Sequence, residues 1–328
     1  MKEQDIRRRS TFNRYLELVA EDVQAIFADR SGFTEINCPA CGSDRYQRQF
    51  EKLGFAYVLC PDCGTLFVNP RPSHQSLMDF YTQSRSASFW VNEFFLPVAE
   101  ARREKIFRPR AQYVTDTLPN MADGVIGDIG AGFGLFLEEL ARLWPSARLV
   151  AIEPSLEMVD ICREKGLETI PCAVEDVRGW DGQFDLLTSF ELFEHLCDPG
   201  EFLKKVWHLL RPGGYLFLTT LNGEGFDIQI LWEKSKSIAP PQHLNFFNPG
   251  SISTLFRASD FAVEKVDTPG KLDWDILEGM YREDAIDPGR FWRLVAERAE
   301  PAAKNSLQDW ITSSGLSSHM RILARKGT

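Results

Sequence analysis

From Val125 onward, short apolar runs alternate with amphipathic helical runs, and this alternation constrains the fold more than any other feature of the sequence. The predicted strands are VIGDI, RLVAIE, a stretch near LETIP, FDLLTSF and GYLFLTT, and the helices between them include GLFLEELARL, LEMVDICREKG and GEFLKKVWHLL. Strands that alternate with helices form βαβ units, whose parallel strands are covered on both faces. The sequence therefore predicts an α/β fold with a doubly wound, mostly parallel sheet.

A glycine-rich stretch, GDIGAGFG at 127–134, stands where the first of these strands meets the first helix. Glycine at such a junction lets the backbone turn sharply and approach a ligand closely. The spacing disfavours the dinucleotide fingerprint Gly-x-Gly-x-x-Gly, because its third glycine would have to stand at Leu135. Asp128, at the strand end, would repel a pyrophosphate but tolerate a cationic sulfonium group. The loop therefore indicates a cofactor other than NAD.

Two further acids fall where the chain returns to the carboxyl edge of the predicted sheet. Glu153 ends the second strand, 23 positions after Gly130, where a carboxylate can accept hydrogen bonds from both ribose hydroxyls of an adenosine. Asp176, in CAVEDV, follows the third strand and is placed to receive an adenine amino group. An exposed surface acid is the alternative interpretation at both positions.

Together these motifs resemble the class I S-adenosylmethionine-dependent methyltransferase family. DIGAGFG, AIEP, EDV, FDLLTSFELFEHL and LLRPGG occur in that family's order over roughly residues 110–222. The resemblance implies a seven-stranded Rossmann-like sheet and S-adenosylmethionine as cofactor, with Asp176 and Val177 beside the adenine and Phe190 and Glu191 beside the methyl donor. It implies that the remaining cofactor-binding residues are Asp128, Gly130, Ala131, Gly132, Gly134, Glu153 and Pro154.

Four of the seven cysteines form two tight pairs, Cys38-Pro-Ala-Cys41-Gly and Cys60-Pro-Asp-Cys63-Gly. Each Cys-x-x-Cys-Gly turn can present two thiolates to one metal, and two such turns complete the tetrahedral set that zinc prefers. Four thiolates leave no position for water, so we predict a structural Zn²⁺. Free cysteines or a redox pair are the alternative.

A zinc ribbon followed by FVNPRPS and a later FY is similar to the N-terminal modules of bacterial methyltransferases that act on sugars or other small polar metabolites. Some sugar C-methyltransferases carry this arrangement, although those longer enzymes have a further C-terminal domain where this chain has a short tail. The predicted organisation is an N-terminal helical segment at 1–35, a zinc-ribbon-like module at 36–75, a connecting helical region at 76–118, and the methyltransferase domain at 119–328, with an insertion at about 267–314.

Candidates for the general base follow the fourth and fifth strands. His195, in FELFEHL, and His243, in PPQHLNFF, are both expected at the carboxyl edge of the sheet, where ligands bind in open α/β folds. His243 is favoured by a small margin. Glu194 is expected to orient His195 or bind a polar acceptor. The alternatives are a backbone-bonded or cofactor-bonded His195, a His243 that only orders its loop, and a solvated Glu194.

Composition limits the partners. The formal net charge of −10 disfavours a protein that grips a phosphate backbone, and no apolar run is long enough to span a membrane. We predict a cytoplasmic enzyme that methylates a small polar acceptor, with a nucleotide-linked or polysaccharide-precursor sugar as the favoured class. An RNA methyltransferase and a non-catalytic binding module are the alternatives, and self-association into a homo-oligomer is left open.

Overall fold

Two β-sheets organise the chain. The computed structural model describes residues 2–283 and 285–327. These residues divide into a four-stranded unit (2–98, 221–252 and 267–320 without residue 284) and a seven-stranded unit (99–220, 253–266 and 321–327). The strands are β1 (Gln47–Lys52), β2 (Phe55–Leu59), β3 (Leu66–Val68), β4 (Val125–Ile129), β5 (Arg148–Ile152), β6 (Glu168–Ile170), β7 (Phe184–Phe190), β8 (Leu210–Leu221), β9 (Asn245–Phe246), β10 (Phe261–Asp267) and β11 (His319–Lys326).

The α-helices lie between and beside these strands. They are α1 (Glu3–Ile6), α2 (Arg9–Ile26), α3 (His74–Gln83), α4 (Arg85–Phe89), α5 (Ala99–Arg102), α6 (Arg108–Thr117), α7 (Leu135–Leu143), α8 (Leu156–Glu164), α9 (Pro199–Leu209), α10 (Phe226–Leu231), α11 (Pro249–Ala258), α12 (Asp273–Arg282), α13 (Arg290–Arg298) and α14 (Pro301–Ser313). Single helical turns of 3-10 type include Val174–Asp176 and Phe193–His195, and π-helical turns occur at Trp90–Phe95 and Arg103–Phe107.

The large sheet has the strand order β10-β11-β8-β7-β4-β5-β6. Strand β4 is parallel to β5 and β7, β5 to β6, and β7 to β8. Because parallel strands need crossover connections, the helices between them cover both faces and the strands read as continuous apolar runs. The predicted α/β class, with a mostly parallel seven-stranded sheet, is confirmed.

The small sheet has the order β1-β2-β3-β9, and every neighbouring pair in it is antiparallel. The first three strands come from the region of the cysteine pairs, whereas β9 comes from residues 245–246. Leu66 lies opposite Phe246 and Phe67 opposite Asn245. The fourth strand therefore belongs to a segment that follows β8 in the chain.

The amphipathic helix expected near the N-terminus is observed as α2. Phe12, Val19, Val23 and the C-cap residue Phe27 follow one another at intervals of seven, four and four residues, and all four are buried. Phe27 meets Phe55 of β2 edge to face, with ring centroids 5.3 Å apart. The chain at the end of α2 therefore contacts the small sheet through Phe55.

The two units do not follow the predicted domain ranges. Residues 221–252 and 267–320 group with the four-stranded unit, although we expected them inside a methyltransferase domain at 119–328. Pairing of β9 with β3 accounts for the first segment. In the second, α12 and α10 share an apolar cluster that includes Trp274, Leu277 and Leu231. The functional division of the chain stays a prediction.

Candidate cofactor site and metal centre

The glycine loop joins β4 to α7 in a conformation that requires glycine. Gly130, Gly132 and Gly134 have φ angles of +71°, +53° and +69°. A Cβ added to Gly130 would lie 3.3 Å from Leu192 Cδ2, and one added to Gly134 would lie 2.6 Å from Leu167 Cδ1. Left-handed backbone and close neighbours together exclude larger side chains. Gly130 is exposed and Gly132 half-buried, so a ligand can reach the backbone at these two positions.

Glu153 follows β5 directly and holds this loop. Its carboxylate is 6% exposed, with Oε2 accepting the Gly132 N–H at 2.9 Å and Oε1 accepting the Ser155 N–H at 2.9 Å. Burial raises the pKa of Glu153, and the two backbone donors oppose that rise. Because each carboxylate oxygen has two lone pairs, both can still accept a ribose hydroxyl.

Asp128, at the end of β4, is also buried. Thr188 Oγ1, on the neighbouring strand β7, donates to Asp128 Oδ1 at 2.7 Å. Burial raises the pKa of Asp128 to about 7, while Thr188 and Arg110 act against that rise. Asp128 therefore changes its charge near neutral pH.

Arg110 places a positive charge beside Glu191 and close enough to Asp128 to affect its pKa. It lies on α6, is bonded to Glu191 Oε1 at 3.2 Å, and places its guanidinium 4.3 Å from the ring centroid of Phe190. Thr219 Oγ1 donates to the same Glu191 oxygen at 2.7 Å. Burial lowers the pKa of Arg110, and Glu191 and Asp128 oppose that change. A buried guanidinium of this kind suits a carboxylate such as the one on an amino-acid cofactor.

Sequence reasoning missed Arg110. The signal available was its position on the apolar stripe of FRPRAQYV, since Arg110 and Val114 are four apart on one helix face and Val114 is buried. A cation on a buried stripe requires an anionic partner.

Glu194 and His195 form a 3-10 turn after β7. Glu194 is 1% exposed, and its Oε2 accepts the Thr220 hydroxyl at 2.8 Å, so the alternative of a solvated acid is wrong. Burial and then Glu191 raise the pKa of Glu194 to about 8, with Arg110 acting in the opposite direction. His195 is half-buried, and its backbone N–H donates to Leu192 O at 2.9 Å.

The other cofactor candidates differ in exposure. Val177 is buried and Ala131 half-buried, whereas Pro154 and Asp176 are exposed. Asp176 closes the 3-10 turn after β6 and lies 3.9 Å from Arg178 Nη2. Contact of these residues with an adenine stays a prediction.

In the four-stranded unit, the four predicted zinc ligands converge. Their sulfur atoms all lie within 4.8 Å of one another, and close approaches join the two Cys-x-x-Cys-Gly turns, which we call knuckles. Cys38 Sγ is 3.5 Å from Cys63 Sγ, and Cys41 Sγ is 3.6 Å from Cys60 Sγ. A tetrahedral site with Zn–S bonds of about 2.3 Å needs sulfur atoms about 3.8 Å apart. The donor set therefore fits zinc.

The two knuckles share one backbone conformation at the glycine that follows each cysteine pair. The Gly42 N–H donates to Cys38 O and the Gly64 N–H to Cys60 O, both at 2.9 Å, and both glycines have φ +74°. Hydrogen bonds from Cys38 and then Thr65 lower the pKa of Cys63 to about 5. The same hydrogen bond raises the pKa of Cys38, so without a metal the pair favours one thiolate and one thiol.

His243 lies in the same unit on a loop at 235–248, which we call the histidine loop. Its Nδ1 is 2.6 Å from Ser237 O, and its ring centroid is 6.2 Å from that of Phe246. Since a carbonyl can only accept, Nδ1 carries the proton when the ring is neutral, and Nε2 is then the basic nitrogen. His195 and His243 therefore belong to different units.

The seven-stranded unit thus has a mostly parallel α/β sheet with a glycine loop after β4 and a buried acid, Glu153, after β5. Residues 98–266, just over half of the chain, match the sequence family described as methyltransferase domain. The chain belongs to this family and is an S-adenosylmethionine-dependent methyltransferase.

Individual relatives carry related names. A ubiquinone biosynthesis O-methyltransferase of Xanthomonas oryzae pv. oryzae is 31% identical over 170 residues, covering 48% of this chain and 70% of that protein. One from Xanthomonas euvesicatoria pv. vesicatoria is 38% identical with the same coverage, 48% and 70%. Among solved structures, a possible histamine N-methyltransferase of Thermotoga maritima is 20% identical with a TM-score of 0.48, covering 72% of this chain and 96% of that one.

No helix in residues 2–283 and 285–327 is long and apolar enough to cross a membrane.

Proposed function

We propose that this protein transfers a methyl group to a small polar acceptor, with a nucleotide-linked or polysaccharide-precursor sugar as the first class to test. The observation that carries the proposal is the pair of hydrogen bonds by which Glu153 joins the glycine loop to the end of β5. Two curated relatives are named O-methyltransferases, which supports oxygen as the accepting atom. The net charge of −10 supports a small molecule over RNA.

S-adenosylmethionine supplies an electrophilic methyl group when bound. Glu153 would accept the ribose hydroxyls, and the glycine loop would lie against the cofactor without side chains in between. Arg110 would bind the carboxylate of the methionine moiety, while Asp128 adds negative charge near a cationic sulfonium. These residues orient the cofactor, which is the main contribution a protein makes to an in-line displacement.

His243 is the proposed general base. Its Nδ1–H donates to Ser237 O, so in the neutral ring Nε2 is the basic nitrogen, which would take the proton of an acceptor hydroxyl. Burial raises the pKa of Glu194, which favours its protonated form and makes it a poorer base than an exposed carboxylate. His195 is the second candidate.

The zinc proposed for Cys38, Cys41, Cys60 and Cys63 is structural. All four ligands are thiolates from the two knuckles, so the metal would have no open position for water or substrate. Its contribution is to the folding of the four-stranded unit.

The test is a screen for S-adenosylhomocysteine formation by mass spectrometry, with S-adenosylmethionine and dTDP-glucose, UDP-glucose, catechol or bulk tRNA as acceptors. Turnover with a nucleotide sugar, lowered at least 100-fold in His243→Gln but not in His208→Gln, is the expected result. His208 is exposed on α9 and serves as the matched control. Turnover with tRNA alone would replace the small-molecule proposal by the RNA methyltransferase. Retained turnover in His243→Gln would transfer the base to His195.

A further inference from the structure

Both ends and the centre of the histidine loop are bonded to the cysteine-bearing sheet. Near its start, Lys52 Nζ, at the end of β1, donates to Ser235 O at 2.8 Å. At its centre, the hydroxyl of Tyr57 on β2 donates to His243 O at 2.9 Å. At its end, the Asn248 amide donates to Cys63 O at 2.8 Å. Each bond joins residues that are more than 180 positions apart.

Backbone pairing strengthens this attachment. The Val68 N–H donates to Leu244 O at 2.9 Å, and the next two loop residues, Asn245 and Phe246, form β9 against β3. Arg71 bonds the side chain of Asn245. The five residues Leu244–Asn248 are all buried. A loop that supplies a strand to a neighbouring sheet shares the stability of that sheet.

The second knuckle is shaped to receive Asn248. A Cβ added to Gly64 would lie 2.8 Å from Asn248 Nδ2, so the glycine leaves room for the amide as well as permitting φ +74°. Asn248 also accepts the Ser251 N–H at 2.8 Å, which fixes its amide orientation. One side chain thereby connects a zinc-ligand carbonyl to the end of the histidine loop.

We propose that the zinc ribbon is a positioning device for His243, with Tyr57 and Asn248 as the positioning residues. Metal binding would order the knuckles, the knuckles and β3 would hold Leu244–Asn248, and Tyr57 would fix the backbone of His243. The effect of this arrangement on catalysis rests on the proposed role of His243 as base. The structural coupling between the cysteine-bearing sheet and the histidine loop does not depend on that role.

The test compares Tyr57→Phe, which removes one hydroxyl, with Tyr46→Phe, which removes a hydroxyl from an exposed ring just before β1. Peptide-resolved hydrogen exchange over 238–247 and the ¹³Cε1–H signals of the five histidines are recorded on zinc-loaded full-length protein. Expected in Tyr57→Phe are exchange about 10-fold faster and a displaced His243 signal, assigned with His243→Gln, at unchanged zinc content. Tyr46→Phe should match the parent.

Asn248→Asp is the second variant, because it keeps the acceptor for Ser251 but cannot donate to Cys63 O. Asn248→Asp should speed hydrogen exchange over residues 238–247, as Tyr57→Phe does. Removal of zinc by a chelator should speed the exchange of these residues more strongly than either variant. Parent-like exchange and histidine spectra in both variants would overturn the proposal. Failure of the proposed function would show separately, as methyl transfer that survives in His243→Gln while the exchange result stands.

Discussion

The two units use their buried charged groups in opposite ways. In the seven-stranded unit, Asp128 and Glu153 stand at strand ends with hydrogen-bonding capacity left for a ligand. In the four-stranded unit, the four cysteine sulfur atoms face one another, and the buried Asp273 accepts from Ser317, Ser318 and Gln308. A site whose groups keep hydrogen-bonding capacity, which we call open, can bind and release a ligand. A site whose groups are all bonded within the protein, which we call closed, contributes to the stability of the fold. The comparison teaches that substitution should change binding in the first unit and stability in the second.

The largest effect is expected from Cys38→Ser. Loss of one thiolate should reduce zinc content well below one equivalent and remove exchange protection from residues 36–68, because structural zinc binding is folding free energy. Affinity for S-adenosylhomocysteine should stay within about threefold by calorimetry, since the cofactor contacts described lie in the other unit. Cys172→Ser, which alters a half-buried non-ligand, is the control. A Cys38→Ser protein that keeps zinc and protection would break the comparison.

Asp227→Asn tests how the stability of the four-stranded unit depends on pH. Burial and then Asp273 raise the pKa of Asp227 to about 7, with Arg7 acting oppositely. A raised pKa means that the folded state holds the proton more tightly, so stability present below about pH 4 is lost as pH rises towards 7. Between pH 4.5 and 7.5, the free energy of unfolding in urea should decrease in Asp227→Asn by roughly 2–4 kcal/mol less than it does in the parent protein. The exposed Asp309→Asn should follow the parent; equal pH slopes in all three proteins would contradict the expectation.

Glu153→Ala tests cofactor binding by the seven-stranded unit. Two charge-assisted hydrogen bonds to ribose, together with the support of the Gly132 N–H, should be lost, so the affinity for S-adenosylhomocysteine should fall about 30- to 100-fold. The free energy of unfolding should fall by about 1–3 kcal/mol, because the Gly132 and Ser155 N–H groups lose their acceptor, so binding is measured under conditions where the variant is folded. Calorimetric titration beside Glu157→Ala, an exposed acid on α8, measures this. Tight NADH binding, or parent-like affinity in the variant, would show that Glu153 does not hold the cofactor.

The smallest effect concerns Asp128. With a pKa of about 7, its ionised fraction rises from about a tenth at pH 6 to about nine tenths at pH 8. S-adenosylmethionine carries a sulfonium charge that S-adenosylhomocysteine lacks, so the ratio of their affinities should rise roughly fivefold over this range. Asp128→Asn should flatten that dependence. A ratio that rises equally in the variant would assign the titration to another group.

Sequence alone predicted the features that depend on local spacing. The glycines at 130, 132 and 134 and the paired cysteines are recognisable because each motif fits within a few residues. Tyr57 was missed because its partner, His243, is 186 positions away. The sequence left open whether Glu194 orients His195, binds a polar acceptor or is solvated, because its burial against Thr220 depends on contact between segments that are distant in the chain. Contacts between distant segments, and hence the membership of β9 in the small sheet, leave no local pattern.

The strand order of the large sheet also bears on synthesis. Strand β11 lies between β8 and β10, so β10 has no place in the sheet until residues 319–326 have left the ribosome. Up to that moment, β8 is an open edge that can pair with other extended chains. A nascent chain interrupted before residue 319 would therefore carry the glycine loop and an unfinished sheet, and would be a natural client for chaperones.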